Sequence, residues 1–168
     1  DMVTIRNVRD FNWRSTRDFD ERWIDVKINL NKMSKIWFVL EYFDPSKRQM
    51  AHTIMSFETE DGERIACSIE VRREEGERYH PLKGLFRQYE LIYVWATERD
   101  VIGVRTRCRK KSVTHLFEAV VLGPGNERRV LESYLRRTNK LSVEPEWYNT
   151  ITNTCTCLLY TSPSPRDE

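Results

Sequence analysis

A hairpin signal in the middle of the chain places the strongest constraint on its fold. Residues 50–57 and 63–71 alternate apolar and polar side chains, and Glu-Asp-Gly at 60–62 joins them. Alternation with a period of two is typical of half-buried strands, and Asp-Gly favours a tight hairpin turn. The two segments therefore predict an antiparallel pair, in which His52, Ile54 and Ser56 share one face of the first strand.

Similar strand patterns occur on both sides of this hairpin, at residues 23–28, 36–43, 91–96, 101–106 and 113–122. After Gly-Pro-Gly at 123–125, residues 126–141 repeat apolar side chains at helical spacing, with arginines on the opposite side. A run of strands followed by a helix predicts an α+β fold, an antiparallel sheet with flanking helices. The length suits a single domain.

Charge and cysteine content exclude several classes of protein. The net charge of +2 is too small to indicate a nucleic-acid partner, and the longest apolar run, at 36–40, is too short to span a bilayer. Hydrophobic residues at 39% and charged residues at 32% are typical of a folded globular domain. The cysteines form no CxxC pair, so we expect no disulfide framework, no metal site and no cofactor.

One cysteine has a context that suits chemistry. Cys155 follows Thr-Asn-Thr, residue types that begin helices, and a helix N-terminus stabilises a thiolate. A thiol nucleophile also needs a base, and His52 on its strand is the best candidate. Glu70 lies on the paired strand, on the face where a carboxylate could orient the imidazole, and Ser68 is the second candidate for that role.

The last residues differ in character from the rest. Residues 157–167 read CLLYTSPSPRD, which resembles a transposon-type sequencing adapter, and the chain begins with Asp1. We therefore expect a native domain at residues 1–156, cut at both ends, and a foreign tail at residues 157–168. The helix expected after Cys155 would then be missing, which predicts that the chain as given is inactive.

Several motifs together resemble one family. They are His-Thr-Ile-Met-Ser-Phe at 52–57, Ser-Ile-Glu-Val-Arg-Arg-Glu at 68–74, Phe-Arg-Gln-Tyr-Glu-Leu-Ile-Tyr at 86–93, Glu-Arg-Asp at 98–100, Arg-Thr-Arg at 105–107 and Tyr-Asn-Thr-Ile-Thr-Asn-Thr-Cys at 148–155. These blocks resemble the Lnb N-terminal periplasmic domain family of bacterial envelope proteins. The order of histidine first and cysteine last is similar to that of circularly permuted papain-like thiol enzymes.

The resemblance implies a function and a location. One branch of the family is similar to lipoprotein N-acyltransferases, which implies acyl transfer through Cys155 with His52 as base. Arg87, Tyr89 and Tyr148 would lie on the substrate side. The implied partner is a lipid or lipoprotein, the implied location is the periplasm or cell envelope, and membrane association would come through missing segments.

Two other functions remain open at this point. A thiol peptidase or amidase of the cell envelope would use the same nucleophile and pass the acyl group to water. A non-catalytic envelope binding module would instead use the surface of residues 87–93. The sequence leaves the acyl donor, the acceptor and the oligomeric state undetermined.

Overall fold

The computed structural model describes residues 1–44, 46, 51–72, 89–121 and 123–148. The chain forms two compact units, the first from residues 1–68 and 94–129 and the second from residues 69–93 and 130–168. The predictions for Cys155, Arg87 and the tail at 157–168 lie outside the described residues.

Nine strands and two α-helices make up the described part of the chain. The strands are β1 (Met2–Arg9), β2 (Asn12–Trp13), β3 (Phe19–Asp20), β4 (Trp23–Asn29), β5 (Met33–Tyr42), β6 (Ala51–Thr59), β7 (Arg64–Arg72), β8 (Glu90–Ala96) and β9 (Val113–Glu118). The helices are α1 (Glu98–Val101) and α2 (Asn126–Val143). A 3₁₀ turn at Leu30–Lys32 precedes β5, and a π-helical turn at Val104–Cys108 follows α1.

Seven of the strands form one mixed, mostly antiparallel sheet in the order β4-β1-β8-β7-β6-β5-β9, while β2 and β3 form a separate ribbon. The pairs β1–β4, β5–β6, β6–β7 and β5–β9 are antiparallel, and Arg9 pairs with Ala96 in parallel. This arrangement confirms the α+β prediction. The likeness to papain-like enzymes stays a prediction.

The register of the central hairpin agrees with the predicted faces. Ile54 pairs with Ser68 and Met55 with Cys67, so His52 and Ile54 share a face with Ser68. A buried apolar cluster lies on that same face, built from Val39, Ile54, Ala66, Ala96 and Val101. The turns at Glu60–Gly62 connect the strands as the Asp-Gly signal predicts, with Gly62 at φ 80°.

The prediction of a strand at residues 101–106 is wrong, because α1 and the π-helical turn occupy this stretch. Thr97 begins α1: its hydroxyl accepts from the Asp100 N–H, and acidic residues follow in the first turn. At Gly103 the Arg107 guanidinium lies in space that a Cβ would occupy. The cap at Thr97 and main-chain bonds such as Val101 N–H to Thr97 O at 3.0 Å favour a helical turn over the strand preference of the β-branched residues. The strand predicted at 113–122 ends at Glu118.

The second unit contains the last residues of β7, the first residues of β8 and most of α2. Main-chain bonds join the segment after α2 to the start of β8: the Leu91 N–H donates to Glu146 O at 2.8 Å, and the Tyr148 N–H donates to Tyr89 O at 2.7 Å. Arg137 on α2 pairs with Glu146. The helix predicted at 126–141 is thus confirmed, with Arg137 in an ion pair.

Candidate active site

His52 lies on β6 with its imidazole held by the neighbouring strand. Its Nε2 is 2.7 Å from Ser68 Oγ, and the side chains are buried, with His52 8% exposed. The register makes the two residues diagonal neighbours on one face, a separation that long side chains bridge. A buried imidazole whose one nitrogen is fixed by a hydroxyl has a defined ring orientation, which a general base requires.

A buried charge network lies on the same face, on the other side of β6. Glu41 of β5 is the register partner of His52 and is fully buried. Its carboxylate accepts from Arg105 Nε at 2.8 Å and from Arg109 Nη1 at 2.8 Å. Arg105 is itself buried and donates to Val101 O at 2.6 Å. A buried carboxylate is tolerated because two guanidinium groups compensate its charge.

The start of α1 contributes a further polar contact to this face. Ser56 Oγ donates to Glu98 Oε1 at 2.7 Å, and Glu98 also lies 3.7 Å from Arg64 Nη1. Polar side chains on one face of β5, β6 and β7 therefore form hydrogen bonds among themselves and with α1 and the turn after it. Each buried polar group named here has a partner, as buried polar groups in folded proteins generally do.

Sequence reasoning missed Glu41. A lone acidic residue inside the apolar run at 36–43 is a signal of a buried, paired charge, because an unpaired carboxylate is too costly to bury. Its arginine partners lie 64 and 68 residues further along the chain, Arg105 inside the segment predicted as a strand and Arg109 after it. The Arg-Thr-Arg motif at 105–107 thus includes one of the two partners of Glu41.

The Glu-Arg-Asp motif at 98–100 has a structural role through Asp100. The Asp100 carboxylate is fully buried and accepts from Arg9 Nε at 2.9 Å and Nη2 at 3.0 Å, from the Phe11 N–H at 2.8 Å and from Trp13 Nε1 at 2.7 Å. It therefore fixes the chain between β1 and β2 against α1. No reacting group is needed to explain its burial.

A second carboxylate, Asp10, lies beside this network. Burial by itself would raise the pKa of Asp10, but hydrogen bonds from Arg99 and Thr97, together with the charges of Arg99 and Arg22, outweigh it. The pKa of Asp10 is therefore below its ordinary value of 3.8. Asp10 stays ionised throughout the neutral range, which suits a structural ion pair rather than a proton donor.

The remaining predicted site residues occupy different environments. Glu70 is half-buried in the second unit. Tyr89 is 1% exposed, and Tyr148 is half-buried, with the main-chain bond between them described above. Cys67 is buried beside Ile65 and Ile69, as expected for a packing role. The roles of Glu70, Tyr89 and Tyr148 stay predictions, as do those of Cys155 and Arg87.

The described residues show neither a grouped set of metal ligands nor a helix suited to span a membrane. Within the described ranges no three His, Cys, Asp or Glu side chains are grouped as metal ligands. In the same ranges no helix combines the length and apolar character of a transmembrane span.

Comparison with known proteins identifies the family. The family model for the Lnb N-terminal periplasmic domain matches residues 19–162, most of the chain. No curated protein and no solved structure matches this chain. The match includes His52, the buried network around Glu41 and the segment that carries Cys155. This chain therefore belongs to the Lnb N-terminal periplasmic domain family, whose domains lie in the periplasm of the bacterial cell envelope.

Proposed function

We propose that this domain performs thiol-dependent acyl transfer of the lipoprotein N-acyltransferase type, with Cys155 as nucleophile and His52 as base. The observation that carries the proposal is the buried imidazole of His52, held at Nε2 by Ser68 Oγ. A general base benefits from a ring that is held in one orientation.

Ser68 takes the orienting role in this proposal. Its hydroxyl fixes the ring at Nε2, so we assign the proton transfer with the thiol to Nδ1. The orienting role of Glu70, the first candidate from the sequence, stays a prediction. Beside His52 in the sheet, its register partner Glu41 is held by Arg105 and Arg109.

The proposed reaction has two half-reactions. In the first, Nδ1 takes the Cys155 proton, the thiolate attacks the donor carbonyl, a C–S bond forms and the C–O bond to the leaving group breaks. The leaving alkoxide receives the proton from the imidazolium. In the second, an acceptor amine attacks the thioester, a C–N bond forms, the C–S bond breaks, and the amine proton returns through His52 to the thiolate.

Substrate binding is assigned to Arg87, Tyr89 and Tyr148. A guanidinium at Arg87 suits a phosphate or carboxylate on the donor. Support from the structure is confined to the main chain, where Tyr148 and Tyr89 are joined by a hydrogen bond in the second unit. The buried ring of Tyr89 would act by packing rather than by direct exposure to bulk solvent.

The test is covalent capture of the acyl-enzyme. The full-length parent protein is incubated with an activated acyl ester probe, and the site of the adduct is mapped by mass spectrometry. We expect the adduct on Cys155, lost in Cys155→Ala and strongly reduced in Ser68→Ala. Cys67→Ala and Cys108→Ala are matched controls that keep the adduct.

The fate of the adduct separates the functions. Transfer of the acyl group to an added amino-terminal cysteine peptide supports the transferase. Exclusive release to water indicates the peptidase or amidase alternative. A folded parent protein that carries no adduct on Cys155 contradicts thiol chemistry and favours the binding module.

A further inference from the structure

We propose that the β9 edge of the sheet docks on an anionic lipid surface. The proposal concerns residues of the first unit alone and does not depend on the chemistry of Cys155. It rests on exposed apolar side chains, a strand edge that pairs with no further strand among the described residues, and a local excess of positive charge.

Large apolar side chains are concentrated at this edge. Five large apolar side chains are each between 41% and 87% exposed: Phe43, Val113, Leu116, Phe117 and Val120. Single exposed apolar residues are common on protein surfaces, but five close together along one strand and its flanks form a patch of the kind used for binding.

Three of these side chains, Val113, Leu116 and Phe117, lie on the edge strand β9 and occupy both of its faces. In the described part of the sheet β9 pairs with β5 alone, with Phe38 opposite Phe117 and Val39 opposite Leu116. Adjacent positions alternate between faces, so Phe117 and Leu116 point to opposite sides. An apolar edge strand is a hazard for a protein in water unless something covers it.

The exposed charge around this strand is positive. Residues 104–121 hold Arg105, Arg107, Arg109, Lys110 and Lys111 against Glu118. Arg105 is buried and, with Arg109, pairs with Glu41, so the excess comes from Arg107, Lys110 and Lys111. Lys110 and Lys111 are exposed, and Arg109 lies over the ring of Phe43 at 6.0 Å from its centroid. Glu118 pairs with Lys35 at 3.4 Å, so its charge is compensated.

The opposite edge of the sheet provides an internal comparison. Met2 and Trp23, on β1 and β4, are also more than half exposed. Residues 1–29, however, hold six basic and six acidic side chains, so this edge has no net charge. The combination of apolar exposure and positive charge therefore distinguishes the β9 edge.

A lipid surface suits this combination better than an acidic peptide does. Apolar side chains on both faces of a strand and beyond its end form no groove, so a rigid partner could cover only one face. The interfacial region of a bilayer can surround both faces, while lysines beside them reach the anionic headgroups. The β9 edge, as defined by residues 109–120, would thus lie in the headgroup region.

The experiment is co-sedimentation of the chain with vesicles. One set contains phosphatidylglycerol and phosphatidylcholine in equal parts, and the other contains phosphatidylcholine alone. We expect binding to the first set only, and loss of binding at about 1 M salt, where the Debye length falls to about 3 Å. Lys110→Glu with Lys111→Glu should weaken binding by about tenfold or more.

A second variant tests the apolar part of the proposal. Leu116→Ser with Phe117→Ser should also weaken binding, while the matched change at the opposite edge, Met2→Ser with Lys27→Glu, should leave it unchanged. Circular dichroism confirms that each variant is folded. The proposal is overturned if all three variants bind equally, or if the unchanged chain binds neither vesicle set. Self-association that Leu116→Ser with Phe117→Ser abolishes, without lipid binding, identifies a second copy as the occupant and overturns it as well.

Discussion

The strongest prediction for stability concerns Asp100. Replacing it with alanine removes the acceptor for four hydrogen bonds. The Arg9 guanidinium, the Phe11 N–H and the Trp13 indole N–H would then lose this acceptor. Breaking a buried ion pair costs about 3–5 kcal/mol. Because the Arg9 side chain is 22% exposed and can turn toward water, we expect a loss of about 3 kcal/mol for Asp100→Ala.

Urea unfolding monitored by tryptophan fluorescence measures this loss. With a slope of about 2 kcal/mol per M urea, the midpoint should fall by about 1.5 M. Asp18→Ala is the matched control, because Asp18 pairs with Arg14 on the surface, where solvent screens the ion pair.

A conservative variant keeps the prediction testable if the alanine variant does not fold. Asp100→Asn retains one carbonyl oxygen as acceptor but loses the charge, so its stability should lie between those of wild type and Asp100→Ala. The assignment of Asp100 as the anchor of the N-terminal segment is refuted if Asp100→Ala is as stable as Asp18→Ala.

Three further predictions follow from the buried groups. The pKa of Asp10 is lower in the folded chain than the ordinary 3.8, so its contribution to stability is present above that pH and is lost as the pH falls through the lowered value. Urea midpoints measured from about pH 3 to about pH 5 should show this fall, and Asp10→Asn should reduce it. Arg105→Met leaves the Glu41 carboxylate with Arg109 alone and should lower the unfolding free energy by about 3 kcal/mol. Glu41→Gln leaves the buried Arg105 guanidinium without its counter-charge, so its urea midpoint should fall by a similar amount. In the native chain a thiol reagent should modify Cys108 before Cys67, as site-resolved mass spectrometry would show, because Cys67 is buried; equal rates would contradict its packing role.

Local pattern predicted the strands of the hairpin and the face on which His52 lies. A period of two fixes which side chains share a face, and Asp61-Gly62 fixes where the chain reverses, so the register from Ile54 to Ser68 follows. The same local information predicted α2 from its helical spacing.

Long-range partners could not be predicted in the same way. Glu41 finds Arg105 and Arg109, and Asp100 finds Arg9, through separations of 64 to 91 residues that no window of sequence reveals. The helical turns after residue 97 were also missed. The cap at Thr97 and the packing at Gly103 outweighed the strand preference of the β-branched residues. Strand β1 was missed although its Ile5 and Val8 are buried.

The contacts of Asp100 also set the order in which the chain can fold. Strands β1 and β4 can form a hairpin as soon as both exist, but Arg9 reaches Ala96 and Asp100 only after some 90 further residues have followed. Closing so long a loop is slow compared with forming local turns. The contacts of Arg9 with Ala96 and Asp100 are therefore expected to form after the local pairing of β1 with β4.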